Sequence, residues 1–100
     1  MDLSQNDWKS QQEKTAESAI IDVRTDEEFE AGHLPHAQQI DIRNPQGFME
    51  AISKLSADKT YFVYCRSGAR SAQACQLMQQ QGLTAYNLMG GILDWKGPVV

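Results

Sequence analysis

Cys65 is followed by Arg66, Ser67, Gly68, Ala69 and Arg70, so a nucleophile, two cations and a turn-forming glycine fall within one short run. A thiol reacts as its thiolate, and the first question about any cysteine is what would hold the anion. The residues just before it, Thr60-Tyr61-Phe62-Val63-Tyr64, are β-branched or aromatic and make the strongest strand signal in the chain. After it, Ala69, Ala72, Cys75 and Met78 recur at helical spacing with Ala74 and Leu77 beside them, and Gly82 supplies a C-terminal cap. Strand, loop and helix in that order put Cys65 at the carboxyl end of a central strand, where open α/β sheets place their ligands. Loop N–H groups and the helix N-terminus then converge on one point and form an anion nest. Gly68 permits the left-handed turn such a nest needs, and Arg66 and Arg70 add full positive charge. A thiolate preformed in this way needs no histidine base, so neither His33 nor His36 is required. Cys65 is therefore the candidate catalytic residue, and Arg66, Ser67, Gly68, Ala69 and Arg70 are the candidate substrate-binding residues. Cys75 lies on the apolar helix face without a charged neighbour and reads as core, with a resolving thiol as the alternative.

The elements that must position this loop alternate between strand and helix. Residues 5–17 read as a weak first helix that packs mainly through Trp8. Ala19-Ile20-Ile21-Asp22-Val23 has the β-branched run of a strand buried on both faces. Thr25 stands at an N-cap position before acidic residues 26–28, in a short helix through about Glu30 that Gly32 ends. A brief strand follows at 38–41. Asn44-Pro45 opens a helix whose apolar face is Phe48, Met49, Ile52 and Leu55. A last strand at 84–88 precedes Gly90-Gly91 and a short turn with Ile92, Leu93 and Trp95. Right-handed crossovers make such strands parallel.

One hundred residues allow one domain, residues 1–100, with a core of ordinary composition at 41% hydrophobic and 22% charged. Nine basic residues against thirteen acidic give a net charge of −4, the wrong sign for holding nucleic acid or anionic lipid. The longest apolar run, Tyr61–Cys65, is far too short to span a membrane, and Met1-Asp2-Leu3-Ser4-Gln5 has no apolar leader segment. Two cysteines make no disulfide scaffold and fit a reducing, cytoplasmic compartment. With two histidines three apart, they make no zinc pattern either, so no metal is expected.

Four segments together resemble the rhodanese-like sulfurtransferases, and the resemblance runs over nearly the whole chain. Asp22-Val23-Arg24 is similar to the family's strand-end signature. Residues 28–37, Glu-Phe-Glu-Ala-Gly-His-Leu-Pro-His-Ala, resemble its acidic-aromatic stretch, Cys65–Ser71 its active-site loop, and Gly90–Trp95 its closing element. The resemblance implies a three-layer α/β fold, with a parallel sheet of four or five strands between helices. It also implies that Cys65 takes a sulfane sulfur from a small anionic donor such as thiosulfate, carries it as a transient persulfide without any cofactor, and passes it to a thiol or a protein acceptor, or to cyanide in vitro. Two departures stand out. His36 occupies a position usually held by glycine, so either the backbone there is not left-handed or the histidine is strained. The first helix also begins so early that there is little room for an initial edge strand.

Other roles for these residues compete with this reading. Asp22, Arg24 and Glu28 read as ion-pair or loop anchors, with Arg70 partly neutralised by Glu28. His33 reads as a hydrogen-bonded turn residue, and Trp95 as both core and pocket wall. A cysteine-dependent phosphatase or arsenate reductase would use a similar nest, but its loop carries one residue more between cysteine and arginine. A non-catalytic rhodanese-like binding module is the other alternative, although such domains often lack the cysteine that is present here.

Overall fold

Successive side chains of a strand point to opposite faces, and the strand before Cys65 divides the core on that rule. In the computed structural model, which describes residues Met1–Val100, Tyr61, Val63 and Cys65 enter one buried cluster and Phe62 and Tyr64 enter another. Two helices, α3 (Pro45–Ser53) and α4 (Ala69–Gln80), cover the first face through Phe48, Ile52, Ala74, Cys75 and Met78. On the second face α1 (Gln5–Lys14) contributes Trp8. The Trp8 ring meets Phe62, Tyr64 and Trp95 edge-on, with centroids 5.8, 6.4 and 5.7 Å away, and its Nε1–H donates to the Tyr86 carbonyl at 3.3 Å. An otherwise polar helix is thus anchored by one indole.

The sheet is wholly parallel, in the order β1 (Asp2–Leu3), β5 (Thr84–Leu88), β4 (Thr60–Tyr64), β2 (Ser18–Asp22), β3 (Gln38–Gln39). This is the three-layer α/β arrangement that the family resemblance implies. Asp22 pairs with Tyr64, so β2 and β4 end level and bring Asp22 and Cys65 to the same edge. The remaining helix, α2 (Asp26–Ala31), stands at that edge. It is closed by a capping box in which Thr25 and Glu28 satisfy each other's backbone N–H groups.

Two expectations resolve in a definite direction. An edge strand does fit before α1, giving five strands: Met1 and Leu3 accept from Asn87 and Met89 at 2.8 and 3.0 Å, and Ser4 caps the helix immediately afterwards. Two residues suffice because the strand only lines one rim. His36 has φ 66°, so the left-handed backbone is kept and the side chain carries its steric cost. The first helix stops at Lys14 instead of 17, capped by Thr15, whose N–H and hydroxyl both bond to the Gln11 carbonyl.

Candidate active site

Cys65 leaves β4 buried, at 1% exposure. Two donors reach its sulfur: the Gly68 N–H at 3.1 Å and the Ser71 hydroxyl at 3.3 Å. Burial alone would push the thiol's pKa up. The Ser71 hydroxyl and the N–H groups of Ser71, Gly68 and Ser67 outweigh it and hold the pKa below the ordinary value. Gly68, at φ 106°, turns the chain so that its own N–H points inward, a conformation that strains any residue with a Cβ.

The loop's carbonyls are turned the other way by the segment after β5. The Ile92 N–H donates to the Cys65 carbonyl at 2.9 Å and the Leu93 N–H to that of Arg66 at 3.0 Å. Gly91 lets the two segments come this close. A Cβ there would lie 2.6 Å from the Cys65 oxygen and closer still to the carbonyl of Arg66.

Two ion pairs brace the surroundings. Arg70 meets Glu28 in a bidentate contact at 2.7 and 2.9 Å. That contact, against some opposing burial and with help from Thr25, holds the Glu28 carboxyl down at about 2. The guanidinium of Arg70 therefore ties α4 to α2. Deeper in, Arg24 grips Asp22 at 2.7 to 3.1 Å and donates to the Gly32 carbonyl at 2.7 Å. Burial works against the charge on Arg24, but the carboxylate beside it more than offsets this, so its pKa is raised. The Tyr64 hydroxyl donates to Asp22 at 2.6 Å and accepts from the Leu34 N–H at 3.1 Å. Asp22, Arg24 and Tyr64 thus tie the chain after α2 to the carboxyl end of the sheet.

The six loop residues singled out from sequence do converge, but not as equals. The Gly68 N–H meets the Cys65 sulfur directly and the Ser67 N–H also favours the thiolate, while Ala69 opens α4 with its side chain exposed. Arg66 is exposed and has no side-chain partner, whereas Arg70 is already paired. Loop N–H groups and the Ser71 hydroxyl supply the hydrogen bonds that hold the thiol down, and the charge of Arg70 also interacts with Cys65. Two residues were not singled out. Ser71 is fully buried against the sulfur, and Asn87 donates to the Gly68 carbonyl at 3.2 Å. In the sequence Ser71 shows only as the last residue of the stretch that resembles the family's active-site loop.

Trp95 packs against the Trp8 cluster and walls a groove of about 500 Å³ that also includes Ile20, Leu34 and His36 but no residue of the cysteine loop. Its pocket is therefore not the one around Cys65. His33 donates from Nδ1 to the Phe29 carbonyl at 2.9 Å and stacks on the Phe29 ring. Cys75 is buried on the sheet-facing side of α4, where burial pushes its thiol up to about 12. Nowhere in the chain do three His, Cys, Asp or Glu side chains come together as a metal site would need, and no helix is long and apolar enough to cross a membrane.

The chain and its fold have counterparts among known proteins. The profile described as "Rhodanese-like domain" matches residues 4–98. The chain belongs to the rhodanese-like family. Among rhodanese-like relatives, a protein of Allochromatium vinosum named sulfurtransferase is 40% identical over 82 residues, covering 81% of this chain and 74% of its own. A rhodanese-related protein of Thermoplasma volcanium superposes with a TM-score of 0.84 at 30% identity, over 99% of this chain and 96% of the other. A rhodanese-like domain protein of Staphylococcus aureus gives 0.79 at 26% identity, over 96% and 93%. The rhodanese-like fold and a general role in sulfur transfer follow from these relationships.

Proposed function

We propose that this protein moves a sulfane sulfur from a small anionic donor such as thiosulfate, through a persulfide on Cys65, to a thiophilic acceptor. The observation that carries this reading is the pair of donors on the Cys65 sulfur, at the carboxyl end of a central strand. The thiolate attacks the outer sulfur of thiosulfate, a new S–S bond forms, and sulfite leaves with the electrons of the bond that breaks. The terminal sulfur of the persulfide is then an anion inside a ring of N–H groups prepared for negative charge. An acceptor thiolate, or cyanide in vitro, attacks that sulfur and releases Cys65 as thiolate. The acceptor in the cell is a thiol or a protein cysteine, and no metal or cofactor takes part. A cytoplasmic setting keeps Cys65 reduced between turnovers. Nucleic acid and membrane surfaces are not partners, as the net charge of −4 argues.

Anaerobic incubation with thiosulfate is expected to add one sulfur, about 32 Da, to the peptide holding Cys65, and cyanide is expected to remove it. If no adduct forms with any of several sulfane donors, the catalytic reading fails and a binding module is left.

Arg66 attracts the donor in this reading, which its exposure beside Cys65 and its lack of a carboxylate partner support. Its attraction acts on the bound anion as much as on the transition state. Arg66→Ala is therefore expected to raise the thiosulfate KM about five- to tenfold with little change in kcat, and to flatten its salt dependence. Steady-state kinetics over a salt series check this, and an unchanged KM would remove Arg66 from donor binding.

A further inference from the structure

The Ser71 hydroxyl has one proton to give, yet it lies 3.3 Å from the Cys65 sulfur and 3.2 Å from the Gly68 carbonyl oxygen. Only donation to the sulfur stabilises a thiolate. The Gly68 carbonyl has two lone pairs. One accepts the Ala72 N–H at 3.1 Å, the opening bond of α4. The other is reached from β5 by Nδ2 of Asn87 at 3.2 Å. Asn87 is only 3% exposed, and the same Nδ2 also donates to Asp2 of β1 at 2.9 Å. Two acceptors fix the amide, because turned over it would set Oδ1 against a carbonyl and a carboxylate oxygen. In the orientation so fixed, Oδ1 is buried with no partner at all. An apolar residue at this point of β5 would avoid that unfavourable burial, so the donor half of the amide must supply something in return.

We propose that Asn87 is a positioning residue for the nucleophile: by occupying the free lone pair of the Gly68 carbonyl, it commits the single proton of Ser71 to the sulfur of Cys65. The proposal rests on the reading of Cys65 as nucleophile. Without the amide, the Gly68 carbonyl competes for the Ser71 proton and the thiolate loses a donor. Asp2 acts at one remove, holding the amide in its donating orientation, so the edge strand β1 is tied to the reactivity of a sulfur at the centre of the sheet.

The test is a mutant cycle read by alkylation. Iodoacetamide modification of Cys65 is followed against pH, by peptide mass, in the unaltered protein, Asn87→Leu, Ser71→Ala and the double variant. Asn87→Leu is expected to move the midpoint upward and to slow alkylation at pH 7 about fivefold. Ser71→Ala should do the same, and the double variant should go no further, because both changes remove one donor. A merely structural role for Asn87 would instead add its effect to that of Ser71→Ala. The proposal is overturned if Asn87→Leu leaves the midpoint in place or shifts it equally in both backgrounds. Asn87→Ala, which also removes the amide, replaces leucine if the larger side chain prevents folding. The charged groups around the sulfur, Arg66, the pair Arg70 and Glu28, the pair Asp22 and Arg24, and Asp2, are the same in all four proteins. Alkylation needs no sulfur donor, so failure here is distinct from failure of the thiosulfate reaction.

Discussion

Cys65→Ser is expected to lower sulfur transfer from thiosulfate to cyanide by about three orders of magnitude or more while leaving the fold intact. A serine hydroxyl cannot ionise near neutral pH, and the two donors that meet the sulfur cannot make up so large a difference. The substitution removes little volume at a site that already contains a polar hydroxyl, that of Ser71, so thermal unfolding should shift by only a few degrees. Steady-state rates and melting curves on one preparation test both halves. Activity above a tenth of the original would mean that another group attacks the donor. Cys75 would be the first to examine, although its burial on the sheet-facing side of α4 argues against it.

The largest effect on stability is expected at Asp22. Asp22→Ala leaves the Arg24 guanidinium almost wholly buried, with the Gly32 carbonyl and the Tyr64 ring beside it but no counter-charge, and removes the acceptor of the Tyr64 hydroxyl. Breaking a buried ion pair from one side costs about 3–5 kcal/mol, because the charge left behind is uncompensated. Domains of this size have about 5–15 kcal/mol in all, so the variant should be close to unfolding at 37 °C. Asp22→Ala combined with Arg24→Met should recover much of the loss, since it is the orphaned charge and not the missing contact that dominates. Urea unfolding of the single and double variants measures this. If the double is no more stable than the single, the pair is worth far more as an interaction than this account allows.

Much of the fold was legible because its cues are local. Thr60–Tyr64 shows itself by residue type, α3 by Asn44-Pro45 and the spacing of Phe48 and Ile52, and α2 by Thr25 with Glu28 three residues on. The edge strand β1 was not, since two residues have no period, and its existence depends on partners in β5 that lie 85 positions away. The same holds at the site. Cys65 and Gly68 announce themselves by chemistry and turn geometry. Ser71 looks like any small residue on a helix face until the loop is folded, and Asn87 looks like an ill-suited strand residue until β5 is laid beside the loop. The role of Arg70 was visible only through Glu28, a residue in another helix.

The contact between the Cys65 loop and the segment that follows β5 bears on the order of events during synthesis. The Cys65 and Arg66 carbonyls are held by N–H groups of residues 92 and 93, and Asn87 arrives only shortly before them. A nascent chain that has released Cys65 from the ribosome but not residues 92 and 93 therefore lacks the contacts that orient the loop's carbonyls. Contacts this distant in sequence form late and slow the folding of small proteins. The Cys65 loop can therefore reach its final shape only after residues 92 and 93 have packed beside it.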